Sequence, residues 1–597
     1  MRYLLEFSSR PWRITLPVFL LLLVLAVACG TAAPAEPQTA ADPAPQEPAA
    51  TGSTGAAPTA APTPASPSAV ASTEVHPGKL TWMVGSFANE RMAYCVAGGG
   101  GHEYGRQIHS FLISSGVQDG ARVLQPGIAT KWEVSPDGKS WTITIRDGVK
   151  FHDGRELTAE DVLWTLQWST GPQAVEYSTG GGCLTQAGLV ESVQQSGPDQ
   201  VKVNYKNTHL QFQTEFSEAT TTWIGTVYPA GMGRGPSVLH DEAVEAAFDR
   251  NPIGAGIFKL VNHTASESMQ FERFEDHYYQ PDDGLPEDRR PKFMTLDLHL
   301  VPEQATRVAA LRAGEVDIAP ISLGAKSQVE AGGGRLMWGE EGAYFFARLL
   351  GCWEERFPCH DLKVRQALNY AVDRQSMQDR LFLGPEVFQI KGFQDVTPST
   401  EGYSPDLDPF PYDPEKARQL LAEAGYPNGE NFGKLTIHTW PSTAIPNMTE
   451  AAQFVAEVWR KELGVDAEVR ISEESAVKEL TRLTEDAYGQ VLFRDSETQT
   501  DASNMLNGDY GRDPDRPDRP ARDPELVKIA HETRAIIDPA ERIPALNKAY
   551  KRFRDESYEL TMGYVNIPWG VGPRVLTWEP YPMAFYPSAI HTITLAE

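Results

Sequence analysis

The chain has 597 residues, of which 41% are apolar and 10% aromatic, so it is long enough to bury the cores of two or three domains. This composition excludes disordered, collagen-like and polytopic membrane proteins. Acidic residues outnumber basic ones by 80 to 53, and the formal charge of −27 disfavours nucleic acid and anionic membrane surfaces as partners.

Residues 1–29 have the pattern of a secretory signal peptide. Arginines precede an apolar run, Ile14–Ala28, which ends at Cys29. The run is short for a membrane span, and its basic flank is typical of signal peptides. The segment Leu25–Gly30 resembles a bacterial lipoprotein box, in which the cysteine is lipid-modified after cleavage. We therefore expect an extracytoplasmic lipoprotein anchored to the bacterial cell membrane, the alternative being plain secretion.

Residues 30–77 are dominated by Ala, Pro, Thr, Ser and Gly and contain no aromatic residue. Such a segment buries too little apolar surface to offset the conformational entropy that folding would cost. Its place between the lipid site and the rest of the chain predicts a disordered tether.

Strand and helix patterns alternate along the remaining chain and indicate an α/β fold. Alternating or continuous apolar runs predict strands over 79–84, 141–146, 434–439 and 466–471. Thr158 begins one predicted helix, and Asp413 with Pro414 begins another that ends at Gly425. A predicted helix over 449–463 separates the last two strands, and this order predicts a parallel βαβ unit.

Four cysteines lie beyond the lipoprotein box, an even number that is typical of disulfides outside the cytosol. Cys352 and Cys359 would close a short loop, which makes them the first predicted pair. Cys95 and Cys183 remain as the second pair. The cysteine spacing does not match a zinc site, and we predict neither a metal site nor a cofactor.

The most specific pattern in the chain follows the first predicted strand. It runs from Ile128 through Trp141 and His152-Asp153-Gly154 to Val162. It resembles the signature of the family-5 extracellular solute-binding proteins, the dipeptide, oligopeptide and nickel receptors of ABC importers. Other motifs that resemble this family occur in the family's order at 254–258, 310–318, 364–374, 412–417 and 526–542. The resemblance covers roughly residues 78–590.

This resemblance implies a two-lobed periplasmic-binding-protein type II fold with a hinge and an extra small subdomain. Lobe I would comprise 78–302 and 556–597, with 119–200 as the small subdomain, and lobe II would comprise 303–555. A peptide or small-molecule ligand would bind in the cleft between the lobes, which close around it. The resemblance implies a non-enzymatic monomer whose partners are the permease and ATPase subunits of an ABC importer.

The resemblance also nominates ligand contacts at the ends of strands. Ligands of α/β lobes bind at the carboxyl ends of strands, which nominates Ser86 and Phe87 after the first predicted strand. Trp440 is nominated for the same reason after strand 434–439.

Other ligand contacts are nominated by comparison with the family pattern. In peptide-binding relatives an aspartate near a tryptophan pairs with the ligand's amine. Asp495 resembles that aspartate, with Phe493 in place of the tryptophan, and Asp501 is the alternative. Arg348 stands where the family often has Asn and would either grip a carboxylate or phosphate of the ligand or pair with an acidic residue at the surface. Trp223 would be either a stacking wall or a core residue.

Two other classes of function compete with a receptor. A hydrolase would require a Gly-x-Ser-x-Gly or His-Glu-x-x-His motif, and His102-Glu103 lacks the second histidine. A sensor or chaperone could use the same scaffold. Peptide is the default ligand that the resemblance implies, with sugars, opines and metal chelates as alternatives.

Overall fold

The computed structural model describes residues 78–97, 101–178, 181–220, 222–235, 237, 239–279, 289–442, 444–445, 447–506, 519 and 522–596. The predicted signal peptide with Cys29 and the predicted tether, 30–77, lie outside the described residues. No helix in the described part of the chain combines the length and hydropathy of a membrane-spanning segment.

Nineteen strands occur in the described residues. They are β1 (Lys79–Val84), β2 (Ile113–Gln118), β3 (Ala121–Pro126), β4 (Ala129–Val134), β5 (Ser140–Ile145), β6 (Val190–Gly197), β7 (Gln200–Tyr205), β8 (Phe258–Thr264), β9 (Ser268–Arg273), β10 (Thr295–Leu300), β11 (Ile318–Pro320), β12 (Arg335–Leu349), β13 (Phe388–Gln389), β14 (Lys434–Thr439), β15 (Asp466–Ile471), β16 (Val491–Glu497), β17 (Glu559–Val571), β18 (Val575–Thr577) and β19 (Thr594–Leu595).

The α-helices of the described residues alternate with these strands. They are α1 (Tyr94–Ala97), α2 (His102–Ile108), α3 (Ala159–Thr170), α4 (Ala174–Tyr177), α5 (Gly181–Leu189), α6 (Phe212–Glu215), α7 (Glu242–Arg250), α8 (Gln304–Ala313), α9 (Lys326–Ala331), α10 (Leu362–Tyr370), α11 (Arg374–Leu381), α12 (Pro414–Glu423), α13 (Met448–Val458), α14 (Glu474–Leu483), α15 (Ser503–Leu506), α16 (Pro524–Arg534) and α17 (Pro539–Asp555).

One large mixed sheet organises these elements. Its strand order is β15-β14-β16-β12-β17-β11-β1-β10-β9-β8, with β13 paired to β17. A separate four-stranded antiparallel sheet has the order β4-β5-β7-β6. Strands from the start, middle and end of the chain therefore meet in one sheet, as expected of an α/β fold whose lobes are built from discontinuous segments.

The predicted elements occur with small shifts at their ends. β14 and β15 pair in parallel with Lys434 opposite Asp466, which confirms the predicted βαβ unit. The predicted strand over 141–146 is β5, one residue earlier. The Asp413 side chain accepts a hydrogen bond from the Lys416 amide and caps α12, and Thr158 caps α3, as predicted.

The predicted lobe boundaries do not coincide with breaks in the large sheet. β11, from predicted lobe II, pairs with β1 of predicted lobe I through Ile318 and Trp82. The small sheet also continues to Tyr205, beyond the predicted subdomain boundary at residue 200. The division into two lobes stays a prediction.

The four cysteines form the two expected pairs. Cys95 and Cys183 join residues that are 88 positions apart, whereas Cys352 and Cys359 are 7 positions apart. All four residues are buried in the main core. The first disulfide therefore ties α1 to α5 across a long stretch of sequence, and the second closes a local loop.

Arg348 is a structural residue in the centre of the large sheet. It lies opposite Glu559 in the β12–β17 pair, and its Nε and Nη2 atoms donate to Glu559 Oε2 at 3.0 and 2.9 Å. The side chains are only 3% and 0% exposed. Arg348 therefore pairs with an acidic residue, as one alternative expected, but the pair is buried in the sheet and not at the surface. A buried guanidinium requires a charged partner.

We expect the two disulfides to contribute unequally to stability. In the chain-entropy model, a loop of 88 residues is worth about 4.5 kcal/mol and one of 7 residues about 2.5 kcal/mol. Replacing Cys95 and Cys183 by Ser should therefore lower the free energy of unfolding, measured by urea titration, more than replacing Cys352 and Cys359. Equal losses would show that strain or residual structure dominates.

Arg348→Met should destabilise the protein by about 3–5 kcal/mol, because Glu559 would remain buried without a charged partner. The double variant Arg348→Met/Glu559→Leu should recover most of that loss. Chemical denaturation measures both effects. Arg356→Met, in an exposed pair with Glu354, is the control and should change stability by less than about 0.5 kcal/mol. A neutral Arg348→Met would contradict the structural role.

Candidate functional site

Two adjoining cavities open where several strands of the large sheet end. β14 and β16 are parallel neighbours, with Ile437 opposite Val491. Trp440, just after β14, and Asp495, near the end of β16, therefore lie at the same edge of the sheet. Ser86, just after β1, lines the same space. The larger cavity has a volume of about 560 Å³ and the smaller about 310 Å³. Ligand sites of open α/β sheets occupy this position.

The cavities are two compartments of one cleft, since they share Ser86, His102, Glu103, Ser442 and Phe585. The larger compartment is polar and includes Trp440, Glu474, Lys478, Arg494 and Asp495. The smaller compartment is largely apolar and includes Trp82, Ile321, Ile567, Trp569 and Tyr586. A ligand that fills the cleft would meet charged groups at one end and aromatic rings at the other.

Asp495 is held in place by the loop that follows β14. Its Oδ2 atom accepts a hydrogen bond from Ser442 Oγ at 2.5 Å, and Ser442 Oγ accepts from the amides of Ala444 and Ile445. The Oδ1 atom accepts no hydrogen bond from another described residue. Burial raises the pKa of Asp495 above its usual value, since the charged form is poorly solvated in the cleft.

Glu103 faces both compartments from α2. It makes no hydrogen bond or ion pair with another described side chain, and burial raises the pKa of its carboxyl group. Arg106, one turn along the helix, donates instead to the carbonyls of Glu218, Thr220 and Thr222. The α2 helix thus brings to both compartments a carboxyl group that forms no ion pair with another described residue.

The basic residues of the cleft are already engaged. Lys478 pairs with Glu474 on α14 and lies 5.9 Å from the centre of the Trp440 ring. Arg494 donates to the carbonyl oxygen of Asp495 at 3.0 Å. In the smaller compartment, Arg307 donates to the carbonyls of Val301, Pro302 and Pro320. These contacts leave the carboxyl groups, more than the cations, to receive a ligand.

Three of the eight residues predicted to contact a ligand line the cleft, namely Ser86, Trp440 and Asp495. Phe87, Trp223 and Phe493 lie instead in the hydrophobic core, at 2%, 0% and 0% exposure. Trp223 packs beneath α2, where a Cβ on Gly105 would come within 2.6 Å of its ring. The core alternative for Trp223 therefore holds, and Phe87 and Phe493 are corrected to core residues for the same reason.

Arg348 and Asp501 also lie outside the residues that line the cleft. Arg348 is committed to Glu559, as described above. Asp501 Oδ1 accepts hydrogen bonds from the amide and hydroxyl of Ser503, and Ser503 Oγ accepts from Gln211 Nε2 at 3.0 Å. Asp501 therefore organises a contact between residues 292 positions apart. Of the two candidate aspartates, the cleft contains Asp495.

Sequence reasoning missed Glu103 and the aromatic compartment. In the sequence, Glu103 belongs only to an incomplete His-Glu-x-x-His motif, which does not indicate a ligand contact. Trp569, Phe585 and Tyr586 come from the end of the chain, and no local pattern links them to Trp82 in β1. The general rule that ligand sites form after the ends of strands was the one signal in the sequence that pointed to this region.

The described residues include no group of three or more His, Cys, Asp or Glu side chains placed to hold a metal ion. The carboxyl groups of the cleft can accept hydrogen bonds from an ammonium or guanidinium group, and its rings can pack against an apolar one.

Comparisons with known proteins agree with this geometry. The family model described as "Bacterial extracellular solute-binding proteins, family 5 Middle" matches residues 123–516. The chain is 27% identical over 374 residues to "Heme-binding protein A" of Haemophilus influenzae, covering 60% of this chain and 63% of that protein. It is 26% identical over 370 residues to the "Dipeptide-binding protein" of Escherichia coli, covering 59% and 64%. The chain thus matches less than two thirds of the length of these relatives.

Solved structures show the same fold. HbpA2 from Haemophilus parasuis matches with a TM-score of 0.69 at 21% identity, covering 87% of this chain and 100% of that chain. DppA from Helicobacter pylori, in complex with the peptide STSA, matches with a TM-score of 0.67 at 20% identity, covering 87% and 98%. These likenesses show the periplasmic-binding-protein type II fold. The family match, which covers more than half of the chain, shows that this protein belongs to the family-5 bacterial extracellular solute-binding proteins, a family of receptors and not of enzymes.

Proposed function

We propose that this chain is the extracytoplasmic substrate-binding protein of an ABC importer and that it captures a short peptide or a similar small amine. Its cleft would hold the ligand and deliver it unchanged to a permease. The observation that supports this most directly is that Asp495 lines the larger compartment while Ser442 donates a hydrogen bond to its Oδ2 atom. A carboxylate held in this way can accept hydrogen bonds from a ligand ammonium group.

The charges of the cleft favour a ligand with an ammonium group over heme. Relatives of this chain are named for binding heme, dipeptides and glutathione. Heme has propionate groups and no ammonium group, and the propionates would meet the carboxyl groups of Glu103 and Asp495. Dipeptides and glutathione each bring an ammonium group to the same place. Like charges repel in a partly buried site.

Closure of the cleft would occur about the two long strands at the centre of the sheet. β12 and β17 pair in three stretches, and the register shifts between Gly339 and Ala343 and again between Phe345 and Phe346. Such an irregularity locally weakens the ladder and allows bending. We place the hinge here. Ligand would favour the closed form because it contacts more residues there than in the open form.

Membrane attachment is part of the same proposal. Lipid on Cys29 would keep the receptor at the membrane, and residues 30–77 would give it reach. A Gly-, Ser- and Pro-containing linker of this length spans tens of ångströms on average, so the receptor could sample the space beside its permease.

Asp495→Asn should weaken the binding of a hydrophobic dipeptide by about tenfold to a hundredfold, because a charge-assisted hydrogen bond is worth about 1.5–3 kcal/mol. Titration calorimetry measures the affinity. Asp501→Asn is the matched control and should leave it unchanged, since Asp501 contacts Ser503 and not the cleft.

The pH dependence of ligand affinity tests the same contact between Asp495 and the ligand ammonium group. Burial raises the pKa of Asp495, so its carboxylate is protonated at a higher pH than an exposed aspartate is. The affinity for an amine ligand should therefore fall as the pH is lowered, and Asp495→Asn should flatten this dependence. No binding of any short peptide to the wild-type protein would reject the proposed function.

Cys29→Ala should abolish lipid labelling and release the protein from membranes. Expression of the full chain in a bacterium fed a labelled fatty acid, followed by membrane fractionation, measures both. Affinity for peptide should not change, since the proposed role of Cys29 is attachment alone. Label retained on the Cys29→Ala protein would contradict the anchor.

A further inference from the structure

Two carboxyl groups that line the cleft form no ion pair with another described residue. Ser442 donates a hydrogen bond to one oxygen of Asp495, which lines the larger compartment. Glu103 makes no hydrogen bond or ion pair with another described residue and lines both compartments. Glu474 differs, because Lys478 neutralises it. The cleft therefore contains two acidic groups that await a cation.

The arginines nearby donate their hydrogen bonds elsewhere. Arg106 and Arg494 donate to main-chain carbonyl oxygens, and Arg307 does so with three of them. Burial raises the pKa of Glu103 and of Asp495 more than the charges of Arg106 and Arg494 lower it. A positively charged ligand would offset that cost.

The smaller compartment favours a ligand with an apolar group. Trp82, Ile321, Ile567, Trp569 and Tyr586 line its volume of about 310 Å³. This is enough for one large side chain, and aromatic side chains bury large areas in such pockets. Glu103 stands at its entrance, because it belongs to both compartments.

We propose that Glu103 is a second cation contact that determines specificity, and that the cleft selects short peptides or similar amines with a net positive charge and a bulky apolar group. The ammonium group would lie between Asp495 and Glu103, and the apolar group would enter the compartment of Trp82 and Trp569. This inference rests on the proposed function, and it names the class of ligand for the same site.

A set of matched ligands separates charge from bulk. Phe-Gly amide is a cation with a bulky group, Gly-Gly amide is a cation without one, Phe-Gly is a zwitterion, and N-acetyl-Phe-Gly is an anion. Titration calorimetry of the full chain in detergent should give the tightest binding for Phe-Gly amide. We expect its affinity to be at least about tenfold higher than that of Phe-Gly, and N-acetyl-Phe-Gly should not bind.

Glu103→Gln should reduce the preference for Phe-Gly amide over Phe-Gly by about tenfold or more, because the cation loses a partner and the ligand carboxylate loses a repulsive one. Glu103→Asp retains the charge and should keep the preference. Glu160→Gln, an exposed carboxyl group at the start of α3, is the matched control and should change nothing. A merely structural role for Glu103 would alter stability but not this ratio.

Gly85→Val tests the apolar compartment. A Cβ at Gly85 would meet only Arg307 Nη1, at 3.7 Å, so a side chain can enter the compartment without displacing the backbone. This variant should weaken Phe-Gly amide by about tenfold and leave Gly-Gly amide unchanged.

Two results would overturn the inference while the proposed function stands. One is equal affinity of the wild-type protein for Phe-Gly amide and Phe-Gly. The other is a preference that Glu103→Gln leaves unchanged. Failure of every peptide to bind would instead reject the proposed function, so the two failures are distinguishable.

Discussion

The pairing of β12 with β17 is the interaction on which the rest of the structure depends. These strands have 15 and 13 residues, and they join β16, β14 and β15 on one side to β11, β1 and β10 on the other. The Arg348–Glu559 pair lies inside this ladder and is nearly inaccessible to water. Because a buried ion pair tolerates only one geometry, it fixes the register of the two strands. Both halves of the sheet are therefore joined through this one pair of strands, and the hinge proposed above lies where their pairing is irregular.

The position of the cleft follows from this sheet. β14 and β16 end beside each other, and β1 ends across from them, so the loops after these strands converge. Ser442 has two contacts in one of these loops. Its hydroxyl group donates a hydrogen bond to Asp495 and accepts hydrogen bonds from two backbone amides of its own loop. Rigid support of this kind lets a side chain hold a ligand without a loss of conformational entropy on binding.

The sequence predicts the fold much better than the site. Strand and helix periodicity and the capping residues Thr158 and Asp413 are local signals, and the structure has the corresponding elements. Site residues depend on which distant segments meet. Phe493 and Asp495 are two residues apart on one strand, yet one is buried in the core and the other faces the cleft. Glu103 and Asp495 line the same compartment only through the tertiary fold, and no spacing in the sequence encodes that placement.

The overall charge of −27 does not explain the choice of ligand. At physiological ionic strength, exposed charges are screened beyond about 8 Å, so most acidic residues are not felt inside the cleft. Carboxyl groups that are buried and unneutralised act differently, because water and salt screen them less. In the proposed mechanism, closure would bring a cation held by Asp495 into contact with Glu103 as well. The resulting difference in affinity between the open and closed forms would couple capture of the ligand to closure.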